Sequence, residues 1–571
     1  MGLLVLALGV GAGAGGAAIG FRWLIKVFTL ALTGHADYAG LGHVPNPHVP
    51  GLGMWFVVLA PVVAGLLYGP LVHAFAREAR GHGVPEVMYA VARKGGRIAP
   101  QVAAVKALAS ALCIGGGGSV GREGPIVQIG AALGSTFGRV LKMPEARMKV
   151  LVACGSAGGI AATFNAPLAG VFFAMELILG DFTAQSFGMV VVSSVTASVI
   201  GRAAFGNTAF LPLPAFAVDN LTQYALFAVL GVVAGAVGVG FTRILYLIED
   251  ACDAVWHGPE WLRPAIGGFV LGGLLLVLPE MYGVGYPVLG KSITGAYTIA
   301  FLLLLLVGKM VATSLTIGIG GSGGVFAPSL FIGAMLGSAY GQVLHLIAPN
   351  VAGSPSVYAL IGMGAVFAGS AKAPITAVII LFELTGEYTI ILPMMVAIVL
   401  ASATSHLLAS DSIYTVKLRR RGVDISISPE AERLAAMTVE QIMEPIGPCL
   451  RESARLRDAA DLLSRAPHGQ MPVLDSHGRY RGIATVRAAA DTLADGQHNL
   501  ATVASVVELP DAVHVTDSIS DALAALELSA GVVPVLDATG ANLVGWLSHQ
   551  RVLTLLHGIP GDLLRTADTS A

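Results

Sequence analysis

Charge is what this sequence has least of. Only 12% of its 571 residues are Asp, Glu, Lys or Arg, about half of what a soluble domain carries. So few charges exclude a water-soluble chain of this length and leave an integral membrane protein. Mean hydropathy is +0.76. Net charge is −2, so nothing implies a nucleic-acid partner. Cysteine is scarce too. Cys113, Cys154, Cys252 and Cys449 stand apart, with no metal-ligand or redox spacing, so neither disulfides nor zinc are called for. His73, His82, His345 and His406 show no His-x-x-x-His or Glu-x-x-His spacing. A metalloenzyme would lack its ligands, and no catalytic residues are assigned. The first 21 residues contain no basic residue, which a secretory leader would place before its apolar run, so this opening reads as a membrane helix.

What the chain has in abundance is glycine, 73 in all, set among apolar runs and repeated in register. Residues 106–141 read KALASALCIGGGGSVGREGPIVQIGAALGSTFGRVL, and residues 309–344 read KMVATSLTIGIGGSGGVFAPSLFIGAMLGSAYGQVL. Lys106 and Lys309, Ser119 and Ser322, Pro125 and Pro328, and Gly138 and Gly341 are each 203 apart. A second block repeats at a spacing of 207: 165–177, NAPLAGVFFAMEL, and 372–384, KAPITAVIILFEL. The chain therefore holds two copies of one apolar unit, at roughly 50–210 and 220–410. Some runs are clean spans of about 20 residues, such as 54–76 and 386–409. Others are cut by Gly115–Gly118 and Gly318–Gly324. In lipid, broken helices survive only where the freed backbone groups face protein or a water-filled pathway. Matching interruptions in two halves point to a transport pathway between them.

Three of the interruptions share the form Gly-x-x-x-Pro: Gly81–Pro85, Gly121–Pro125 and Gly324–Pro328. Glycine permits close backbone approach, and proline is tolerated in a helix's first turn. Each motif opens a helix whose first N–H groups and dipole can hold an anion by partial charges, which suits passage better than a full lysine charge would. Glycine also serves helix packing, so the weight comes from finding three together. In Gly121-Arg122-Glu123-Gly124-Pro125 a carboxylate sits at such a start, and the second copy has Phe326 in its place. Intramembrane carboxylates are costly and by default functional. Structural pairing with Arg122 is the alternative. A carboxylate at a helix start can occupy the anion site and leave when protonated, which makes Glu123 a gate.

After the last span, Lys417, Arg419, Arg420 and Arg421 favour the cytoplasmic side for the remainder of the chain. Two soluble blocks then end alike, in MPVLDSHGRYRGIATVRAAAD and VPVLDATGANLVGWLSHQRVL, each a strand, a glycine turn, a strand and a helix start at Thr485 or Ser548.

These motifs resemble those of the CLC chloride channel and transporter family over about residues 5–420. The resemblance implies an all-α polytopic membrane protein with an inverted-repeat helical fold, acting as a homodimer with a separate pore in each subunit. It makes Glu123 the gating glutamate. Chloride would be bound by His82 and Gly83, by the N–H groups of Val325 and Phe326, and by the hydroxyl of Tyr414, whose alternative role is an interfacial aromatic. There are two departures. His82 stands where the family usually has serine, and Leu177 stands where proton-coupled members usually have a second glutamate, directly after Glu176. Glu176 and Glu383 hold equivalent repeat positions, which favours a structural role for both. The two soluble blocks resemble an α/β pair of cystathionine-β-synthase (CBS) domains. Such pairs can bind adenine nucleotides through an Asp near the start of the last helix. Here those places are Ala488 and Arg551, so the pair reads as a dimerising cytoplasmic module and no cofactor is assigned.

The expected layout is 1–415 membrane domain, 416–435 linker, 436–492 and 501–558 CBS domains, and 559–571 tail. The expected function is glutamate-gated conduction of chloride and other anions across a lipid bilayer, with Leu177 tilting against the alternative, proton-coupled chloride exchange. A membrane anchor for a sensor would not need broken helices.

Overall fold

The structure is a computed structural model that describes residues 2–206, 221–425, 437–466, 468–494, 501–529 and 531–552. The expected tail at 559–571 lies outside the described residues, as do 426–436 and 553–558 of the expected linker and CBS domains. The chain forms two compact units, divided between Ile425 and Ser426.

The first unit is helical. Among the described residues seven helices are long and apolar enough to cross a membrane: Gly2–Thr33, Pro50–Phe75, Ala184–Phe205, Thr222–Val255, Ile299–Gly318, Phe326–Ile347 and Ile391–Leu408. Shorter apolar helices lie between them, among them Gln101–Gly115, Arg263–Val277 and Pro355–Ala371. The run expected as one span at 386–409 begins at Ile391 instead. Gly386 takes φ +70 and closes the preceding helix, Pro374–Thr385, with a left-handed cap.

The repeat is visible helix by helix. Gly2–Thr33 packs on Glu145–Phe164 and Ala184–Phe205, and Thr222–Val255 packs on their counterparts Pro355–Ala371 and Ile391–Leu408. The first half thus begins with the N-terminal helix and not near residue 50. That helix carries no Gly-x-x-x-Pro signal, so only packing identifies it.

The relation between the halves is reciprocal. Gly121 and Gly324, 203 apart, each donate a backbone N–H to the other's carbonyl, at 2.7 and 2.6 Å. The Ser110 and Ser322 hydroxyls lie 2.8 Å apart, while their equivalents Thr313 and Ser119 join hydroxyl to carbonyl at 2.8 Å. Glu176 accepts from the N–H groups of Ile375 and Thr376 at 3.1 and 2.7 Å, and Glu383 accepts from Leu168 and Ala169 at 2.9 and 2.7 Å. Each carboxylate thereby satisfies the first free N–H groups of the other half's short helix. Contacts that swap on exchanging the halves are the mark of a two-fold relation, here between inverted repeats.

The second unit is α/β. Its strands are β1 (Glu444–Pro445), β2 (Leu450–Arg451), β3 (Gln470–Leu474), β4 (Tyr480–Thr485), β5 (Val507–Glu508), β6 (Val513–His514), β7 (Val532–Leu536) and β8 (Leu543–Ser548). They form two sheets, ordered β2-β3-β4-β5 and β1-β8-β7-β6. Each sheet takes an edge strand from outside its own sequence block: β1 pairs with β8, and β5 with β4. Val439 and Ile442 accordingly bury against the second sheet's core, and Val503 and Val506 against the first's. The shared Asp of the two blocks closes each turn. Asp475 Oδ1 accepts from the N–H groups of His477 and Arg479 at 2.8 Å. Asp537 accepts from the Thr539 hydroxyl and the Asn542 amide, each at 2.7 Å. The Thr485 and Ser548 hydroxyls accept from the N–H groups of Ala488 and Arg551, both at 3.1 Å, the N-cap role expected of them.

Candidate anion pathway

Four helix starts meet at the middle of the membrane unit: Val84–Arg93, Glu123–Val140, Tyr286–Ile293 and Phe326–Ile347. Their entry loops are stitched together. Besides the Gly121–Gly324 pair, Gly81 N–H donates to Gly321 O at 3.1 Å, and Gly323 N–H to Gly81 O at 3.3 Å. The glycines are required where backbones touch. A Cβ on Gly324 would lie 2.7 Å from the Gly124 nitrogen, and one on Gly83, at φ +85, would lie 2.7 Å from the Gly124 carbonyl.

Two fully buried lysines, repeat equivalents, tie down the outer loops. Lys106 Nζ donates to the carbonyls of Ala79 and Gly81 at 2.9 and 2.8 Å. Lys309 Nζ donates to Ser119 Oγ at 2.9 Å and to the carbonyls of Gly283 and Val284 at 3.1 and 3.2 Å. With their carbonyls held by lysine, the loops leave N–H groups free to face an anion.

Glu123 is 1% exposed. Its Oε2 accepts from the Ala327 N–H at 3.3 Å, and its Oε1 accepts from the Tyr286 hydroxyl at 2.6 Å. The carboxylate therefore sits on the start of the Phe326–Ile347 helix, where an anion would sit. The N–H groups of Val325 and Phe326 at that start donate to no other described residue. The Phe326 ring is wedged against Phe367 and Phe164, at 4.6 and 5.9 Å between centroids. Tyr286 and Ala327 anchor Glu123, while the Arg122 guanidinium lies 5.0 Å from the centre of the Tyr286 ring.

Tyr414 is buried, and its loop is clamped from two sides. Ile413 N–H donates to Ser370 O at 2.8 Å, and the Tyr246 hydroxyl donates to Ile413 O at 2.7 Å. His82 is 1% exposed, its ring 6.3 Å from that of Tyr246, and neither ring nitrogen has a partner among the described residues. An unpaired buried imidazole is costly, and an anion at this place would accept its N–H. The Gly83 carbonyl accepts from Val87 at 3.3 Å in the first turn of the next helix.

Two cavities lie among these elements. One, of about 770 Å³, is lined by Arg22, Lys26, Arg122, Tyr282 and Tyr286 among others. The other, of about 350 Å³, is lined by Arg77, Arg80, Tyr246, Lys417, Arg420 and Arg421, with Glu249 among its acidic members. Excess cationic charge in both draws anions in.

Tyr286 went unrecognised in the sequence. Gly283-Val284-Gly285-Tyr286-Pro287 has the same Gly-x-x-x-Pro form, 202 residues after Gly81–Pro85. Extending the repeat backwards by one loop was the signal that finds it.

The sequence pattern of the voltage gated chloride channel family matches residues 64–406, and that of the CBS domain matches residues 439–495. A ClcB-like chloride channel protein from Ralstonia nicotianae is 35% identical over 435 residues, covering 75% of this chain and 99% of the relative. The H(+)/Cl(-) exchange transporter ClcA of Vibrio parahaemolyticus is 35% identical over 382 residues, 65% of this chain and 80% of the relative. A solved slow cyanobacterial Cl-/H+ antiporter aligns with a TM-score of 0.66 at 27% identity, covering 73% of this chain and 97% of that one.

Proposed function

We propose that this chain, which belongs to the voltage-gated chloride channel (CLC) family, exchanges chloride for protons through a pathway gated by Glu123. One observation carries the reading: the Glu123 carboxylate accepts from the Ala327 N–H at the start of the Phe326–Ile347 helix, a place that would equally suit an anion. Anion and carboxylate then compete for one site. Protonation removes the charge that holds the carboxylate there, so proton uptake and anion entry are linked. Relatives named as H(+)/Cl(-) exchange transporters support exchange over the conduction expected from Leu177. Leu177, almost fully buried, favours conduction as the second reading, because it supplies no titratable group on the proton side.

Val325 and Phe326 bind the central anion by their N–H groups, Tyr414 by its hydroxyl, and His82 and Gly83 line the site. The unit lies in a lipid bilayer as a homodimer with a pathway in each subunit, and the basic residues Lys417–Arg421 that follow the last span favour a cytoplasmic location for the CBS pair. No catalytic residue or cofactor enters this reading.

The test is transport by purified protein in liposomes. An outward chloride gradient should drive protons inward against their own gradient, and Glu123→Gln should abolish the proton movement while chloride still passes. Chloride flux without proton movement in the unaltered protein would establish conduction instead. Absence of any chloride flux would overturn both readings.

A further inference from the structure

We infer that Tyr286 is a latch: its hydroxyl holds the ionised Glu123 carboxylate in the anion site and so sets how readily the gate opens. The inference rests on the gating role of Glu123 and adds a positioning residue to it. The two anchors of Glu123 are of unequal quality. The Ala327 N–H lies at 3.3 Å, while the Tyr286 hydroxyl lies at 2.6 Å from Oε1, the short range of a hydrogen bond to an ionised oxygen. Tyr286 also lines the larger cavity, so it stands between that vestibule and the carboxylate.

Its position is fixed by the fold. Tyr286 is the first residue of its helix, directly after Gly285 at φ +90 and before Pro287. The preceding carbonyls of Gly283 and Val284 are held by buried Lys309. The duplicated loop at Gly81–Pro85 has Val84 at the equivalent place, so only one half can hold a carboxylate this way. The charged and titratable groups around Glu123 are Arg122, directly before its helix, Tyr286, Lys309 on Ile299–Gly318, and Tyr414, directly before the Thr415–Arg420 helix. Of these, Tyr286 makes the side-chain hydrogen bond to it.

The hydroxyl donates well to a carboxylate and less well to a carboxylic acid, so it favours the closed, ionised state. Removing it should release the gate. Tyr286→Phe keeps the ring and its packing, which protects folding. At pH 7.5, chloride efflux from proteoliposomes should rise roughly tenfold, as expected for loss of a hydrogen bond to a charged group. The pH of half-maximal flux should move upward by about one unit, since less proton is then needed to unseat the carboxylate. In a Glu123→Gln background Tyr286→Phe should change neither rate nor pH profile. Unchanged flux in Tyr286→Phe, or an equal rise in both backgrounds, overturns the latch while leaving the gate. If Glu123→Gln itself keeps the full pH response, the gate reading fails and the latch with it.

Discussion

Gly121 and Gly324 hydrogen-bond each other twice, N–H to carbonyl in both directions, and they are the same residue of two repeats. The two-fold relation of the halves therefore passes between them, at the point where the helix starts converge. The chemistry beside them is not symmetric. One half contributes Glu123 to this centre, and the other contributes the N–H of Ala327 that receives it.

Gly324→Ala tests how tight that centre is. The new Cβ would meet the Gly124 nitrogen at 2.7 Å, a backbone atom that cannot swing aside. Chloride flux per reconstituted protein should fall at least tenfold, with the protein less stable by about 1–3 kcal/mol as for other overpacked sites. Flux and melting temperature like those of the parent would show that the loops can part to admit a methyl group.

Glu383→Ala removes acceptors from the N–H groups of Leu168 and Ala169. With apolar surroundings and no water to replace the carboxylate, leaving these two helix-start donors unpaired costs about 1–3 kcal/mol, so thermal unfolding in detergent should come several degrees lower. Flux per folded molecule should stay near the parent's. Selective loss of proton transport with unaltered stability would instead give Glu383 a place in the proton route.

Tyr414→Phe and His82→Ala should each weaken chloride binding several-fold, the worth of one neutral hydrogen bond, about 0.5–1.5 kcal/mol. His82→Ser, which restores a hydroxyl donor, should recover most of the loss. Calorimetric titration with chloride reads all three, and unaltered affinity in His82→Ala removes the imidazole from the site.

Acid should loosen the second unit at its turns. Hydrogen bonds from Thr539 and Asn542 hold the Asp537 carboxyl below the usual carboxylate range, and backbone hydrogen bonds led by that of Arg479 do the same for Asp475. A lowered folded value means stability that is present above about pH 3.9, the free aspartate value, and is lost as pH falls through the folded value. Amide protection at Ala541 and Asn542, measured by hydrogen exchange, should hold at pH 5 and decline progressively as the pH is lowered below the free aspartate value, about 3.9. Asp537→Ala should show low protection throughout. Equal protection in parent and variant at pH 5 would show that the carboxylate does not order the turn.

Much of this was legible in the residues. Low charge and long apolar runs declared the membrane unit, because lipid admits little else. The spacing of 203 declared two halves, and glycine before proline marked where helices restart, because backbone freedom and the missing N–H are local properties. Glu123 stood out as a charge present in one copy only. The N-caps at Thr485 and Ser548 came from turn chemistry. Ala488 and Arg551 fall in the first turns they cap.

Other features depended on packing. The first half's opening helix, Gly2–Thr33, has no motif, and only its seat on two helices pairs it with Thr222–Val255. The strand exchange in the second unit joins Glu444 to Trp546, across a hundred residues, where local pattern carries no partner information. By itself the sequence determined what each segment is: apolar or wet, helix or break, charged or not, and which segments are copies. The tertiary structure alone decided what meets what: Glu176 and Glu383 capping each other's halves, and the Tyr286 hydroxyl on the Glu123 carboxylate, 163 residues away. Such pairings arise when helices buried on most sides must satisfy every polar group from a neighbour, and which neighbour arrives is set by the packing of the whole unit.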